Sequence, residues 1–119
     1  MPYEQHQEKS YPISAQDAHQ AVLKVVEKLS GKVIAAAPEK MRVEANFPKV
    51  VLGKTLGERT YCAVEVQPEG EGCKVIVDAY PLDALNRKLL FGARKGVTQT
   101  LVVWFTAHLE HTLGILQVK

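Results

Sequence analysis

The pattern of apolar and polar residues predicts a helix, several short strands and a second helix. In residues 14–29 the apolar side chains recur at intervals of three and four, which is typical of an amphipathic helix. They are Ala18, Ala21, Val22, Val25, Val26 and Leu29. Ser14, with Asp17 three residues later, favours a capped start, and Gly31 predicts the end.

Four strands are predicted to follow this helix. Lys32–Ala37 is a run of small apolar residues, and residues 41–47 alternate between apolar and polar. Residues 59–67 and 73–80 predict a hairpin around a loop at 69–72, with Cys62 opposite Ala79. Cys73 then lies roughly 20 Å from Cys62 along the hairpin, which predicts two free thiols because a disulfide needs Cα atoms within about 7 Å. Residues 50–52 are ambiguous, and residues 82–91 are predicted to be partly helical.

Residues 98–116 predict a second helix that is apolar over much of its circumference. One stripe at helical spacing comprises Leu101, Trp104, Phe105, His108 and Leu109. The apolar surface extends beyond this stripe through Val102, Val103, Leu113, Ile115 and Leu116. Such a helix must cover a deep core, a ligand cavity or a partner subunit.

The order of elements predicts a two-layer α+β domain, in which two helices lie on one face of a four-stranded antiparallel meander. The polar residues 1–12 show no periodicity and are expected to form a loose N-terminal arm. Residues 13–119 are then a single α+β domain.

Composition narrows the functional classes. Of the 119 residues, 46% are hydrophobic and 24% are charged, with a net charge of +2, which is ordinary for a globular protein. This charge and the lack of an aromatic ladder on the strands argue against a nucleic-acid partner. The N-terminus lacks the apolar segment of a signal peptide, and no apolar run reaches the ~20 residues of a membrane span. We expect a cytoplasmic protein.

Two short motifs resemble catalytic or binding signatures but lack their required parts. The segment PKVVLGKT has Pro48 where a phosphate loop needs glycine, and a hairpin turn is the better interpretation. His108 and His111 stand three residues apart, whereas the helical zinc motif spaces them by four. The sequence therefore predicts no metal, no cofactor and no catalytic residue. An enzyme hypothesis rests on His108, Asp78 and a basic cluster alone, and it is the weakest.

Two surface groups are candidates for binding. The basic cluster comprises Arg87, Lys88, Arg94 and Lys95. It is a candidate anion contact, although the favoured interpretation is that these cations keep a short amphipathic segment in solution while their stems cover its apolar surface. Tyr61 and Tyr80 share the outer face of the predicted hairpin and are a candidate subunit interface.

The order of the helix at 14–29, the alternating strands at 41–47 and 59–80, and the helix ending at Leu116 resembles small bacterial helix-grip-like domains. These are distant relations of the lipid-binding START and polyketide-cyclase fold. The resemblance implies a long C-terminal helix lying across a curved antiparallel sheet. It carries over no binding or catalytic residue.

Two functions follow as the leading hypotheses. The first is a non-enzymatic module that forms a homo-oligomer through the C-terminal helix (Val102, Val103, Phe105, Leu109 and Leu116) or through Tyr61 and Tyr80. The alternative is a carrier of a small hydrophobic or anionic ligand. Trp104 would then lie inside a cavity under the helix, with Arg94 or Lys95 at its mouth.

Overall fold

The structure is a computed structural model that describes residues 4–89 and 96–114. These residues form seven strands and two helices, joined by loops and turns. In chain order the elements are β1 (Gln5–Tyr11), α1 (Ala15–Lys28), β2 (Lys32–Ala37), β3 (Arg42–Phe47), β4 (Val50–Val51), β5 (Lys54–Thr55), β6 (Arg59–Glu69), β7 (Gly72–Leu82) and α2 (Val97–Thr112). A short 3-10 turn at Pro38–Lys40 separates β2 from β3.

The main sheet has five antiparallel strands in the order β1-β7-β6-β3-β2, and β4 and β5 form a separate two-stranded hairpin. The predicted α+β class and the antiparallel sheet are confirmed, and so is the C-terminal helix, which however ends at Thr112 and not at Leu116. The predicted number of four strands is wrong. The ambiguous residues 50–52 contribute β4 and a turn, and the fifth strand of the main sheet comes from the N-terminus.

The N-terminal segment is a strand and not a loose arm. Residues 5–11 pair with β7, with Gln7 opposite Val77 and Tyr11 opposite Cys73. The backbone groups at the free edge of β7 pair with residues 5–11. Strand β1 therefore forms although its side chains do not alternate between apolar and polar. Gly72 allows β1 and β7 to approach closely, because a Cβ atom there would lie 2.3 Å from the carbonyl oxygen of Tyr11.

Helix α1 begins as predicted and ends one residue earlier than predicted. The Ser14 side-chain oxygen accepts a hydrogen bond from the Asp17 amide at 3.2 Å. At the other end Ser30 takes the left-handed conformation with φ 64°, and the Gly31 amide donates to the Val26 carbonyl at 2.8 Å. Gly31 is instead needed for packing, since a Cβ atom on it would stand 2.6 Å from the Phe47 ring.

The register of the β6–β7 hairpin is confirmed. Cys62 lies opposite Ala79 and Cys73 opposite Pro68, and residues 70–71 form the turn in place of the predicted four-residue loop. Both lengths have the same parity, so the same side chains face the core. Both thiols are free and buried, and burial raises the pKa of the Cys62 thiol to about 12.

Both helices cover the same face of the sheet and contact each other. The sheet side of this core includes Val64, Val66, Val75 and Val77. The helical side includes Val22, Val25, Leu101, Phe105 and Leu109. Residues 83–88 form a loop and not the predicted partial helix, because the Asp83 carboxylate accepts the amide protons of Leu85 and Arg87 at 2.8 and 2.9 Å.

Candidate functional site

The predicted apolar stripe of α2 packs mainly into the core. Leu101 and Phe105 are fully buried, and Leu109 and Val102 are nearly so. The space between α2 and the sheet is therefore occupied by protein side chains along this stretch. Most of the apolar side chains that made α2 a candidate interface or cavity roof are therefore buried in the core.

The remaining helix candidates lie at different depths. Val103 is 56% exposed, whereas Trp104 is half-buried and packs against the edge of the core. Leu116 lies outside the described residues. Self-association through α2 and enclosure of a ligand by Trp104 both stay predictions.

A buried carboxylate on α2 was not foreseen from the sequence. Glu110 is 4% exposed, and its Oε2 atom accepts hydrogen bonds from Lys9 Nζ and Tyr11 Oη, each at 2.7 Å. Burial raises the pKa of Glu110, but the hydrogen bonds from Lys9 and Tyr11 and the Lys9 charge outweigh it, so the pKa lies below 4.5. Glu110 therefore stays ionised and holds α2 to β1.

A second polar contact joins the same two elements. The Gln7 side-chain amide donates to the Thr106 hydroxyl at 2.8 Å. Thr106 and Glu110 are four residues apart, on the side of α2 that faces β1. The only sequence signal for this contact is that Gln7, Lys9 and Tyr11 alternate, which places them on one face of a strand.

The outer face of the sheet carries the predicted tyrosine pair. The rings of Tyr61 and Tyr80 stack with centroids 4.5 Å apart, and the Tyr61 hydroxyl donates to the Glu44 carboxylate. Lys88 Nζ stands 5.3 Å from the Tyr80 ring centroid. Burial and the bond to Glu44 raise the pKa of Tyr61. The use of this pair as a subunit interface stays a prediction.

Two members of the basic cluster form ion pairs with different acidic residues. Arg87 Nε contacts Asp83 Oδ2 at 3.1 Å, and Lys88 forms an ion pair with Glu4 of the N-terminal segment. Arg94 and Lys95 lie outside the described residues. Arg87 and Lys88 therefore hold the loop after β7 in place, and their role as anion contacts stays a prediction.

The two motifs have no catalytic surroundings among the described residues. Leu52 and Gly53, at φ 54° and 78°, form the turn of the β4–β5 hairpin, which confirms the hairpin interpretation of PKVVLGKT. His108 lies on the helical layer, where burial and the nearby Lys28 charge lower its pKa. Asp78 lies across the sheet on the outer face, so these two enzyme candidates are not brought together. Within residues 4–89 and 96–114 no group of three His, Cys, Asp or Glu is placed to hold a metal ion.

A cleft of about 470 Å³ opens at the end of the sheet where β6 begins and β7 ends. Its walls include Lys49, Arg59, Leu82, Ala84 and Leu89. Thr60 follows Arg59 in β6 and pairs with Pro81, and its side chain points to the opposite face of the sheet from that of Arg59. The Thr60 hydroxyl is fully buried and has no hydrogen-bond partner within the described part of the chain, which is uncommon for a buried polar group.

The outer face also carries a histidine between two carboxylates. His6 Nδ1 lies 2.5 Å from Asp78 Oδ1, and His6 Nε2 lies 2.9 Å from Glu8 Oε2. The hydrogen bond with Asp78, followed by that with Glu8, raises the pKa of His6 above 6.5. Since His6 and Glu8 are on β1 and Asp78 is on β7, protonated His6 stabilises the docking of β1.

This arrangement predicts that β1 docks less firmly as the pH rises. Because the pKa of His6 is raised by folding, its contribution is complete below pH 6.5 and is lost as the pH passes the pKa of the folded state. Amide hydrogen exchange of β1 should therefore increase as the pH rises above 6.5, beyond the intrinsic effect of pH. His6→Gln should remove this extra increase, and His111→Gln at the exposed end of α2 should keep it. An extra increase that persists in His6→Gln would contradict the assignment.

Solved structures share this architecture over almost the whole chain, although the sequence matches no protein-family model and no curated protein. Ara h 8.0201 is similar with a TM-score of 0.63 and 12% identity, covering 94% of this chain and 98% of that one. The di-domain ARO/CYC protein BexL, from the BE-7585A biosynthetic pathway, has a TM-score of 0.58 and 10% identity, covering 93% and 46%.

Norcoclaurine synthase from Thalictrum flavum, in complex with dopamine and hydroxybenzaldehyde, has a TM-score of 0.51 and 10% identity, covering 98% of this chain and 88% of that one. The chain has the helix-grip fold. The expected resemblance is thus confirmed for the fold, and identities this low extend it to no activity. Neither of the two described helices is long and apolar enough to cross a membrane.

Proposed function

We propose that this domain binds a small, largely apolar molecule with an acidic group, without converting it. The observation that carries the proposal is the cleft at the end of the sheet. Its volume of about 470 Å³ lies in the range of small-molecule sites. Leu82 and Leu89 supply an apolar wall, and Lys49 and Arg59 supply positive charge. Two carboxylates, Glu58 and Asp83, also line the cleft, and Asp83 is ion-paired with Arg87 outside it.

The end of the sheet is favoured over the centre because Phe105, Leu101 and Leu109 fill the space under the middle of α2. The helix-grip structures are consistent with ligand binding, since norcoclaurine synthase was determined with dopamine and hydroxybenzaldehyde. Arg94 and Lys95, which precede α2 in the chain, remain candidate anion contacts under this proposal. A carrier role is favoured over catalysis because His108 and Asp78 lie on opposite sides of the sheet.

The test uses decanoate as the probe, measured by isothermal titration calorimetry. Ala84→Trp places a large side chain at an exposed position of the cleft wall and should weaken binding at least about tenfold by filling the site. Ala107→Trp makes the same change at an exposed position of α2 and should bind as the wild type does. The proposal would be overturned by a wild-type protein that does not bind decanoate, or by equal affinities of the two variants.

Self-association through α2 or the outer sheet face is the second candidate function. The exposure of Val103, at 56%, favours it for α2, and the stacked Tyr61 and Tyr80 favour it for the sheet. The core position of Phe105 and Leu109 leaves less apolar surface for it than the sequence suggested. Sedimentation equilibrium of the wild type and of Val103→Glu tests the α2 surface directly, because the added charge should weaken a dimer that forms through α2.

A further inference from the structure

Two apolar side chains of the β4–β5 hairpin remain in solvent although the hairpin is packed on the domain. Val51 is fully buried in the core, and the Leu56 amide donates to the Lys49 carbonyl at 2.6 Å at the base of the hairpin. In contrast, Val50 is 49% exposed and Leu52, in the turn, is 48% exposed. The hairpin is therefore anchored on one side and presents its other side and its turn to the surroundings.

Leucine is an unusual residue for the turn of this hairpin. Leu52 and Gly53 both have positive φ, and a two-residue turn of this kind favours Asn-Gly, because asparagine and glycine adopt the left-handed conformation most readily. Leu52 is strained in this conformation and half exposed, so folding gains little from its side chain. Strained residues cluster at binding sites, where the side chain serves a partner.

The loop after β7 repeats this combination beside the cleft at the end of the sheet. Leu85 is 69% exposed, and it is followed by Asn86, with φ 63°, and by Arg87, whose side chain is also mainly exposed. Residues 49–57 and 83–89 both contribute to the walls of the cleft. Each of these two bordering segments therefore carries one exposed leucine.

Positive charge accompanies the apolar side chains of the hairpin. Residues 48–57 contain two lysines, Lys49 and Lys54, and no acidic residue. At the opposite end of the sheet, Glu69 and Glu71 are exposed beside the β6–β7 turn. An anionic surface would therefore attract the cleft end of the domain and repel the turn end.

We propose that the cleft end of the domain docks on an anionic lipid bilayer. Val50, Leu52 and Leu85, the apolar tips, enter the headgroup region, while Lys54 contacts lipid phosphates. Peripheral binding of this kind combines buried apolar area with attraction to anionic lipids, and the hairpin supplies both. The bilayer also explains why a strained leucine stands in the turn.

The arrangement of the apolar tips favours a bilayer over a protein partner. The tips belong to two separate segments, so a protein would need a matching pocket for each, whereas a bilayer deforms around both. The carboxylates of the cleft, Glu58 and Asp83, are less exposed than the tips. Docking itself does not rest on ligand binding. The exchange of an apolar acid between bilayer and cleft, which docking would permit, does rest on the proposed function.

Co-sedimentation of the full chain with lipid vesicles tests the proposal. The wild type should bind vesicles of equal parts phosphatidylcholine and phosphatidylserine at least about tenfold more tightly than vesicles of phosphatidylcholine alone. Leu52→Asn should weaken binding to the anionic vesicles about tenfold, because its side chain no longer enters the lipid. Lys54→Gln should weaken it about fivefold. The urea midpoint of Leu52→Asn should not fall, since asparagine suits the left-handed turn, so lost binding is distinguished from lost folding.

Two matched variants locate the contact. Val103→Asn removes an exposed apolar side chain from α2, and Lys40→Gln removes an exposed cation from the opposite end of the sheet. Both should bind the anionic vesicles as the wild type does. The proposal is overturned by a wild type that does not bind them, by equal affinities for the two vesicle compositions, or by equal affinities of Leu52→Asn and Val103→Asn.

Calorimetry with decanoate and without vesicles separates docking from ligand binding. Leu52 does not line the cleft, so Leu52→Asn should bind decanoate as the wild type does while its affinity for vesicles falls. A wild type that binds vesicles but not decanoate would overturn the proposed function alone. A wild type that binds decanoate but not anionic vesicles would overturn the docking alone.

Discussion

Phe105→Ala should lower the free energy of unfolding by about 3–5 kcal/mol, which is the usual cost of removing a buried aromatic ring. Phe105 is 0% exposed and lies between Leu101 and Leu109 on the face of α2 that packs on the sheet. Since a domain of this size is stable by about 5–15 kcal/mol, the variant should lose a large part of its stability. Urea unfolding followed by far-ultraviolet circular dichroism measures the change.

Val103→Ala is the matched control, because it shortens an apolar side chain two residues away on the same helix. Val103 is 56% exposed, so its truncation should change the free energy of unfolding by no more than about 0.5 kcal/mol. Equal losses in the two variants would contradict the orientation of α2 described above. A loss below about 1 kcal/mol for Phe105→Ala would contradict its core position.

Glu110→Gln should lower the free energy of unfolding by about 2 kcal/mol at neutral pH. The substitution keeps the size of the side chain but removes the charge that accepts hydrogen bonds from Lys9 and Tyr11. Lys9 is 44% exposed, so water screens the ion pair, and most of the expected loss comes from the weakened hydrogen bonds. Glu27→Gln, at an exposed position of α1, is the control and should have little effect.

The pH dependence separates the charge of Glu110 from its packing. Because folding lowers the pKa of Glu110, its contribution is present above the ordinary value of 4.5 and is lost as the pH falls through the lower pKa of the folded state. The difference in stability between wild type and Glu110→Gln should therefore shrink as the pH falls below 4.5. A difference that stays constant over this range would show that shape, and not charge, is responsible.

Elements with local signals could be predicted closely from the sequence. Helix α1 has a capping serine and a three-to-four periodicity, and both are properties of the segment itself. The β6–β7 register follows from the parity of its alternation, which is why Cys62 was placed correctly opposite Ala79. The end of α1 was misassigned because Ser30 takes the left-handed conformation that is more usual for glycine, and Gly31 serves the packing of Phe47.

Strand β1 had no such signal. Its inward positions hold Gln5, Gln7, Lys9 and Tyr11, and three polar side chains followed by one tyrosine give no apolar alternation. They become a strand because β7 offers an unpaired edge and α2 presents Thr106 and Glu110 above it. Both conditions depend on residues about seventy to one hundred positions away, so they exist only in the folded chain.

By itself, the sequence determined that the C-terminal segment is a helix and that this helix covers a sheet, because its apolar content exceeds what a solvated helix carries. The tertiary structure decided which side of the helix is buried. Val102 and Glu110 are buried, Glu110 through its contact with β1, whereas Trp104 and His108 are half-buried. The physical reason is that an ionised carboxylate can be buried once Lys9 and Tyr11 satisfy it, and those partners come from the opposite end of the chain.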